Sequence, residues 1–188
     1  MNGALRRLAL AALLALSADC HADGTGVAPE GEAPEAEWSV WLLRHAEKAD
    51  DGTRDPPLSA AGEARAAAIA SRYAGAGIEM LWTTDYRRTR ETLAPLASAA
   101  GITLETYDPR SPGALVARIR AQARNAMVVG HSNTVPDLTA RLCGCEVAPM
   151  DEGEYGRVAR VRFGRGGPTL ETWFEDAGPA PATPAEKP

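Results

Sequence analysis

Two histidines stand immediately after apolar runs that have the character of buried strands. His45 follows the segment SVWLLR and His131 follows AMVVG, while a third apolar run, EMLW, leads into TTDYRRTRET, which carries Arg88. Arginine beside neutral imidazole suits a phosphoryl group, because the guanidinium forms paired, charge-assisted hydrogen bonds with phosphate oxygens. A neutral histidine can also act as the nucleophile that accepts the phosphoryl group. The residue types and their spacing therefore predict phosphoryl-transfer chemistry.

The residues next to the histidines support the same chemistry. Arg44 directly precedes His45, and we expect the charges of Arg44 and Arg88 to lower the pKa of that imidazole and keep it neutral near pH 7. After the second histidine, the turn that begins with Ser132 and Asn133 can direct backbone N–H groups toward the same anion. These side chains and the turn would together surround one phosphoryl group.

The elements that must position these residues alternate between strand and helix. Strands are predicted at Ser39–Leu43, Glu79–Trp82, Thr103–Thr106 and Ala126–Gly130, followed by an antiparallel pair at Arg157–Phe163 and Thr169–Phe174. Helices are predicted at Ala60–Ala74, Tyr86–Ala100, Pro112–Arg124 and Val135–Leu142. Such alternation indicates a mostly parallel sheet with helices on both faces, and ligands of such sheets bind beyond the carboxyl ends of the strands.

Four motifs in this order resemble the histidine phosphatase superfamily, which includes cofactor-dependent phosphoglycerate mutases and phosphohistidine phosphatases. They are LLRHAEK, PPLSAAGEARA, TTDYRRTRET and VVGHSNT, and the resemblance covers nearly all of residues 38–176. It implies a three-layer α/β/α sandwich with an antiparallel C-terminal edge. It also implies that His45 is the phosphorylated nucleophile and that Arg44, Arg88 and His131 hold the phosphoryl group.

The general acid is less well defined than the nucleophile. In mutase-like members a glutamate after the third strand protonates the leaving oxygen, and here Asp108 stands at that strand's end. Glu47 and Asp137 are the alternatives, with a bound water as a further one. The chain also departs from many members at two positions, where Ala46 replaces a glycine and Asp51 an asparagine.

The first residues have the order of a secretory signal peptide: basic residues, then an apolar run, then small residues. We expect residues 1–22 to be removed, with cleavage after Ser17 or Ala22, and the protein to be exported to the periplasm. A lipoprotein anchored through Cys20 is the alternative, but Asp19 stands where such signals have a small neutral residue. The apolar run is too short to span a bilayer stably.

Composition limits the remaining possibilities. Residues 23–37 are acidic and residues 177–188 are rich in proline and alanine, so both segments are predicted to be disordered. The intervening domain, residues 38–176, contains 18 Asp and Glu residues and 17 Lys and Arg residues, a balance that argues against nucleic-acid binding. Nothing in the sequence indicates an oligomeric state.

The cysteines and the spacing of ligand-type residues predict no metal and no cofactor. Cys143 and Cys145, in the segment CGC, lack neighbours that could complete a metal site. We expect them to be free thiols, because a disulfide between them would close a very small ring.

Phosphatase activity is the function that this pattern favours. We expect an exported phosphomonoester hydrolase that acts on a small-molecule or glycan phosphomonoester, since the domain lacks the long insertions that enclose the substrate in mutases. The first alternative is a phosphoglycerate mutase-like phosphotransferase. The second is a non-catalytic module that binds phosphoesters.

Overall fold

The computed structural model describes residues 37–175, which form one six-stranded sheet with the strand order β3-β2-β4-β1-β5-β6. The strands are β1 Trp38–Arg44, β2 Met80–Thr83, β3 Leu104–Thr106, β4 Ala126–Gly130, β5 Arg157–Phe163 and β6 Thr169–Phe174. The first four are parallel and the last two run antiparallel at one edge, as predicted. The predicted signal peptide, the linker up to residue 36 and the C-terminal tail lie outside the described residues.

Four helices cover the two faces of the sheet. They are α1 Ala60–Tyr73, α2 Arg87–Ala100, α3 Pro112–Gln122 and α4 Val135–Cys143. One buried cluster combines Val40 and Leu42 of β1 with side chains of α3 and α4, such as Ile119 and Leu138. The other combines the alternate β1 residues with side chains of α1 and α2. The alternation of side chains along a strand thus produces two cores, and the predicted α/β/α sandwich is confirmed.

The register of the sheet brings three strand ends to one place. Arg44 at the end of β1 is paired with Gly130 at the end of β4, and Thr83 of β2 is paired with Val129 of β4. The backbone N–H of His45 donates to the carbonyl of Gly130 at 3.0 Å, which ties the first loop residue to the neighbouring strand. The residues that follow β1, β2 and β4 therefore begin side by side.

The start of α1 fixes the loop that follows β1. The Ser59 hydroxyl caps this helix by accepting from the Gly62 N–H at 3.2 Å, and the Ser59 N–H donates to the Glu47 carbonyl at 2.9 Å. A Cβ atom at Gly62 would lie 2.1 Å from that same carbonyl oxygen, so only glycine permits this approach. The PPLSAAGEARA motif therefore places the loop next to the nucleophile candidate.

The expectation of free thiols is wrong for Cys143 and Cys145, which form a disulfide. Gly144 adopts a left-handed conformation with φ of 66° at the end of α4, which turns the chain so that the two Cα atoms lie 5.2 Å apart. A disulfide spans such a distance readily. The small size of the ring therefore does not prevent the disulfide, because the conformation of Gly144 brings the two cysteines close together.

No helix within residues 37–175 is long and apolar enough to cross a membrane.

Candidate active site

A cavity of about 340 Å³ opens at the carboxyl ends of the parallel strands. Its lining includes both histidines and four basic side chains, namely His45, His131, Arg44, Lys48, Arg88 and Arg110. Ser132 and Asn133, which the sequence analysis assigned to the turn around the phosphoryl group, also line it. The cavity is therefore strongly cationic, and it collects the residues that follow three different strands.

His45 lies at the base of this cavity and presents one unprotonated ring nitrogen. Its Nδ1 is 2.8 Å from the carbonyl oxygen of Ala46, and a carbonyl only accepts, so Nδ1 carries the proton. Nε2 therefore holds a lone pair, and the Arg88 Nε–H donates to it at 3.2 Å. Burial is the main cause that lowers the pKa of His45 from 6.5 to about 3, and the charges of Arg44 and Arg88 lower it further. The ring is thus neutral and oriented as a nucleophile.

His131 lies beside His45, with the two ring centroids 5.5 Å apart. Its Nε2 is 2.9 Å from the Thr84 hydroxyl, and its Nδ1 is 3.5 Å from Nη2 of Arg88. Burial and then the charge of Arg88 lower the pKa of His131 from 6.5 to about 4. Arg88 therefore lies between two neutral imidazoles, and its guanidinium can contact an anion that both rings face.

Arg44 lines the cavity but is held by the loop between α4 and β5. Its Nη1 donates to the backbone carbonyls of Asp151, Glu152 and Glu154, and its Nη2 donates to the Glu152 carboxylate at 3.2 Å. Its guanidinium also lies over the ring of Tyr155, 4.4 Å from the centroid. Its Nε is buried without a hydrogen-bond partner. Arg44 thus supplies positive charge to the cavity and at the same time anchors one of its walls.

The first candidate for the general acid, Asp108, does not line the cavity. Its carboxylate accepts from the backbone N–H and from the Nε–H of Arg110, both at 3.0 Å. These hydrogen bonds, together with the positive charge of Arg110, lower the pKa of Asp108. The expectation that Asp108 faces the same crevice as His45 is not met, because the carboxylate turns back to its own loop.

The two alternative acids also lie outside the lining. Glu47 forms an ion pair with Arg65 of α1 at 2.7 Å, and Asp137 forms one with Arg141 of α4 at 2.9 Å. Both carboxylates are therefore bound to helix arginines. Glu47 anchors the loop after β1 to α1, which is a structural task.

The two departures from the family's pattern are accommodated away from the cavity. Ala46 is fully buried, and its N–H donates to the Thr92 hydroxyl at 2.9 Å, while that hydroxyl donates to the Arg88 carbonyl at 2.6 Å. Asp51 is exposed and accepts from Thr53 in its own turn. Thr92 therefore links the backbone next to His45 to the helix that carries Arg88.

Several cavity residues were not predicted as site residues. Tyr86 and Lys48 lie within the motifs TTDYRRTRET and LLRHAEK but were not assigned to the site, whereas Arg110 and Glu152 lie outside every motif. Thr84 lies within TTDYRRTRET, so its place after a strand could have identified it. Across residues 37–175 there is no group of three or more His, Cys, Asp or Glu side chains that could hold a metal ion.

Comparison with known sequences finds similarity to one family. Residues 40–109 match the sequence profile of the histidine phosphatase superfamily (branch 1). The chain is 38% identical over 77 residues to a probable phosphoglycerate mutase GpmB from Yersinia enterocolitica, and a match of the same extent exists in Escherichia fergusonii. This match covers 38% of the chain and 35% of the Yersinia protein, so the chain spans about a third of the length of the curated relatives it matches.

Comparison with solved structures supports the fold. The protein histidine phosphatase SixA, solved in complex with tungstate, superposes with a TM-score of 0.61 at 23% identity over 74% of this chain and 97% of that one. A mycobacterial glucosyl-3-phosphoglycerate phosphatase gives a TM-score of 0.57 at 16% identity over 74% and 98% of the two chains. A putative alpha-ribazole-5'-P phosphatase from Escherichia coli gives 0.60 at 16% identity, over 73% and 96%. These similarities establish a common architecture.

Proposed function

We propose that the chain belongs to the histidine phosphatase superfamily, whose sequence profile it matches over residues 40–109, and that it is a phosphomonoester hydrolase whose nucleophile is His45. One observation carries this proposal. The free Nε2 of a neutral His45 points at the Arg88 guanidinium at 3.2 Å, inside a cavity that His131 also lines. A phosphoryl dianion that binds Arg88 takes that donor away from Nε2, and the lone pair is then free to attack phosphorus.

The reaction has two halves. In the first, Nε2 of His45 attacks phosphorus in line, the bond to the leaving oxygen breaks, and a phosphohistidine forms. In the second, water attacks the phosphohistidine and releases inorganic phosphate. Arg44, Arg88 and His131 neutralise the phosphoryl oxygens throughout, and Ser132 and Asn133 complete the binding site. Phosphoryl transfer depends mainly on such positioning and charge stabilisation.

The openness of the cavity favours a hydrolase over a mutase. A mutase must keep water away from its phosphohistidine until the hydroxyl group that accepts the phosphoryl group is in place. Here neither of the two long connections beside the site carries a domain-sized insertion: 15 residues join β1 to α1, and 13 join α4 to β5. The similarity to GpmB proteins keeps the mutase reaction as the alternative, and product analysis with a phosphoglycerate distinguishes the two.

The substrate that we propose is a small-molecule or glycan phosphomonoester outside the cytoplasm. The cavity volume of about 340 Å³ suits a phosphoryl group and part of a small leaving group. The extracytoplasmic location rests on the signal-peptide pattern of residues 1–22.

The proposal is tested by measuring phosphate release from p-nitrophenyl phosphate and a panel of natural phosphomonoesters. We expect turnover by the purified protein, and we expect loss of turnover in His45→Ala without loss of the folded state. Circular dichroism and tryptophan fluorescence serve as the controls for folding. A protein that binds phosphate but hydrolyses no phosphomonoester would instead be a phosphoester-binding module.

A further inference from the structure

Glu152 is the single acidic residue among the side chains that line the cavity, counted over residues 37–175. Its Oε1 accepts from the Ser132 hydroxyl at 2.5 Å, and its Oε2 accepts from Nη2 of Arg44 at 3.2 Å. The side chain is 83% exposed, so it lies at the cavity mouth and not in its floor. A carboxylate in this position is placed among groups that we assign to the phosphoryl site.

The backbone that carries Glu152 is held to the strand that ends next to His45. Three hydrogen bonds join Nη1 of Arg44 to the carbonyls of Asp151, Glu152 and Glu154. The Arg44 guanidinium itself is almost completely buried. Glu152 is therefore attached to a fixed wall of the site, and its exposed carboxylate is held at the mouth by Ser132 and Arg44.

The proposed reaction needs a proton donor at this mouth. His45 attacks from the cavity base, so an in-line displacement sends the leaving oxygen outward. An alkoxide leaves readily only when an acid protonates it. The three carboxylates that the sequence suggested for this task are paired with arginines outside the lining.

We propose that Glu152 is the general acid of the first half-reaction and the general base of the second. This inference rests on the proposed function. In the first half, the bond from Nε2 of His45 to phosphorus forms, the phosphorus–oxygen bond breaks, and the leaving oxygen takes the proton of the Glu152 carboxyl. In the second, water attacks phosphorus and gives its proton to the Glu152 carboxylate, while the phosphorus–nitrogen bond breaks and its electron pair returns to Nε2.

The protonation of Glu152 is coupled to substrate binding. Without substrate, the Ser132 hydrogen bond is the main cause that lowers the pKa of Glu152, and the charges of Arg44 and Lys48 act in the same direction. An incoming phosphoryl dianion competes for Ser132 and Arg44 and adds negative charge beside the carboxylate. Both effects raise the pKa of Glu152 and so favour the protonated carboxyl that the leaving oxygen needs.

The test is a comparison of leaving groups in Glu152→Gln. The substitution keeps the size of the side chain and one of its two acceptor oxygens, but it removes the proton that a carboxyl can transfer. We expect kcat for an alkyl phosphate to fall by about 10²–10⁴-fold, the range typical of general acid catalysis. With p-nitrophenyl phosphate, whose phenolate leaves unaided, we expect a loss of only a few-fold. Glu146→Gln is the matched control, because Glu146 is an exposed glutamate of the same loop outside the cavity lining.

Three outcomes contradict the inference. An equal loss on both substrates makes Glu152 a binding or structural residue. Unchanged kinetics give it no part in the reaction. Faster turnover together with tighter inhibition by inorganic phosphate makes it a carboxylate that merely competes with substrate. Failure of the parent protein to hydrolyse p-nitrophenyl phosphate would contradict the proposed function itself, so the two failures are distinguishable.

Discussion

The Nε–H of Arg88 donates to Nε2 of His45 at 3.2 Å, so in the proposed reaction the cation that attracts the substrate also occupies the lone pair of the nucleophile until the substrate arrives. This hydrogen bond requires an unprotonated Nε2, which agrees with the low pKa of the ring. It also fixes the direction of the lone pair, because Nδ1 is bound to the Ala46 carbonyl on the other side of the ring. Under the proposed mechanism, substrate binding to Arg88 would therefore also release the lone pair of His45.

Arg88→Met is expected to reduce kcat/KM by about 10²–10³-fold, the loss typical when one preorganised charged donor is removed from a transition state. Arg87→Met is the matched control on the neighbouring residue of α2. The Arg87 side chain is 52% exposed and paired with Glu91, so its loss should change kcat/KM by only a few-fold. Steady-state kinetics of both variants check this, and equal losses would show that general positive charge matters more than the position of Arg88.

Gly62→Ala is expected to destabilise the protein and to impair turnover. A methyl group at this position meets the Glu47 carbonyl at 2.1 Å, so either α1 or the loop after β1 must move. We expect a loss of about 1–3 kcal/mol in the free energy of unfolding, as for other overpacked sites. Gly113→Ala is the control, since nothing lies within 4 Å of its added Cβ, and it should be neutral or stabilising. Urea unfolding of both variants provides the measurement, and equal stabilities would exclude the contact as a constraint.

The free energy of unfolding should fall as the pH drops below 6.5. The folded-state pKa values of about 3 for His45 and about 4 for His131 lie below the unfolded value of 6.5, so in this window only the unfolded chain takes up the protons. Between pH 6.5 and 5 each histidine should contribute a loss of roughly 1.5 kcal/mol. Urea unfolding at both pH values should therefore show a smaller loss in His45→Gln combined with His131→Gln. The same pH dependence in both proteins would contradict the low pKa values.

Extensive chelation is expected to leave the phosphatase activity intact, since the positive charge of the cavity comes from side chains. Vanadate should inhibit competitively by occupying the phosphoryl site. The measurement is the rate of phosphate release before and after dialysis against a chelator, and again after the addition of single divalent metals. Activity that disappears on chelation and returns with one metal would refute this prediction.

Much of the fold follows from local features of the sequence. Apolar runs such as Ala126–Gly130 indicate the strands, and signals such as the cap at Ser59 and the proline at the start of α3 indicate where helices begin. All ten predicted elements occur within a few residues of their expected bounds. His45 and His131 could be placed together because parallel strands end at one edge of a sheet. Their direct contact also requires β1 and β4 to be neighbours in the sheet, which alternation of strands and helices does not by itself specify.

Side-chain direction and long-range loop contacts were not accessible in the same way. Asp108 does follow β3, as expected, but its hydrogen bonds with Arg110, two residues later, determine where the carboxylate points. Glu152 lies in an irregular loop whose place in the site depends on its contact with Arg44, 108 residues earlier. Neither of these contacts produces a periodic pattern that the sequence could reveal.

The most direct test is to trap and locate the phosphoenzyme. The protein is mixed with a ³²P-labelled substrate, quenched at intervals, and digested so that the labelled peptide can be sequenced. We predict an acid-labile, base-stable label on His45, formed fast enough to account for turnover and missing from His45→Ala. A label on a serine, or turnover with no labelled protein at any time, would contradict the covalent mechanism.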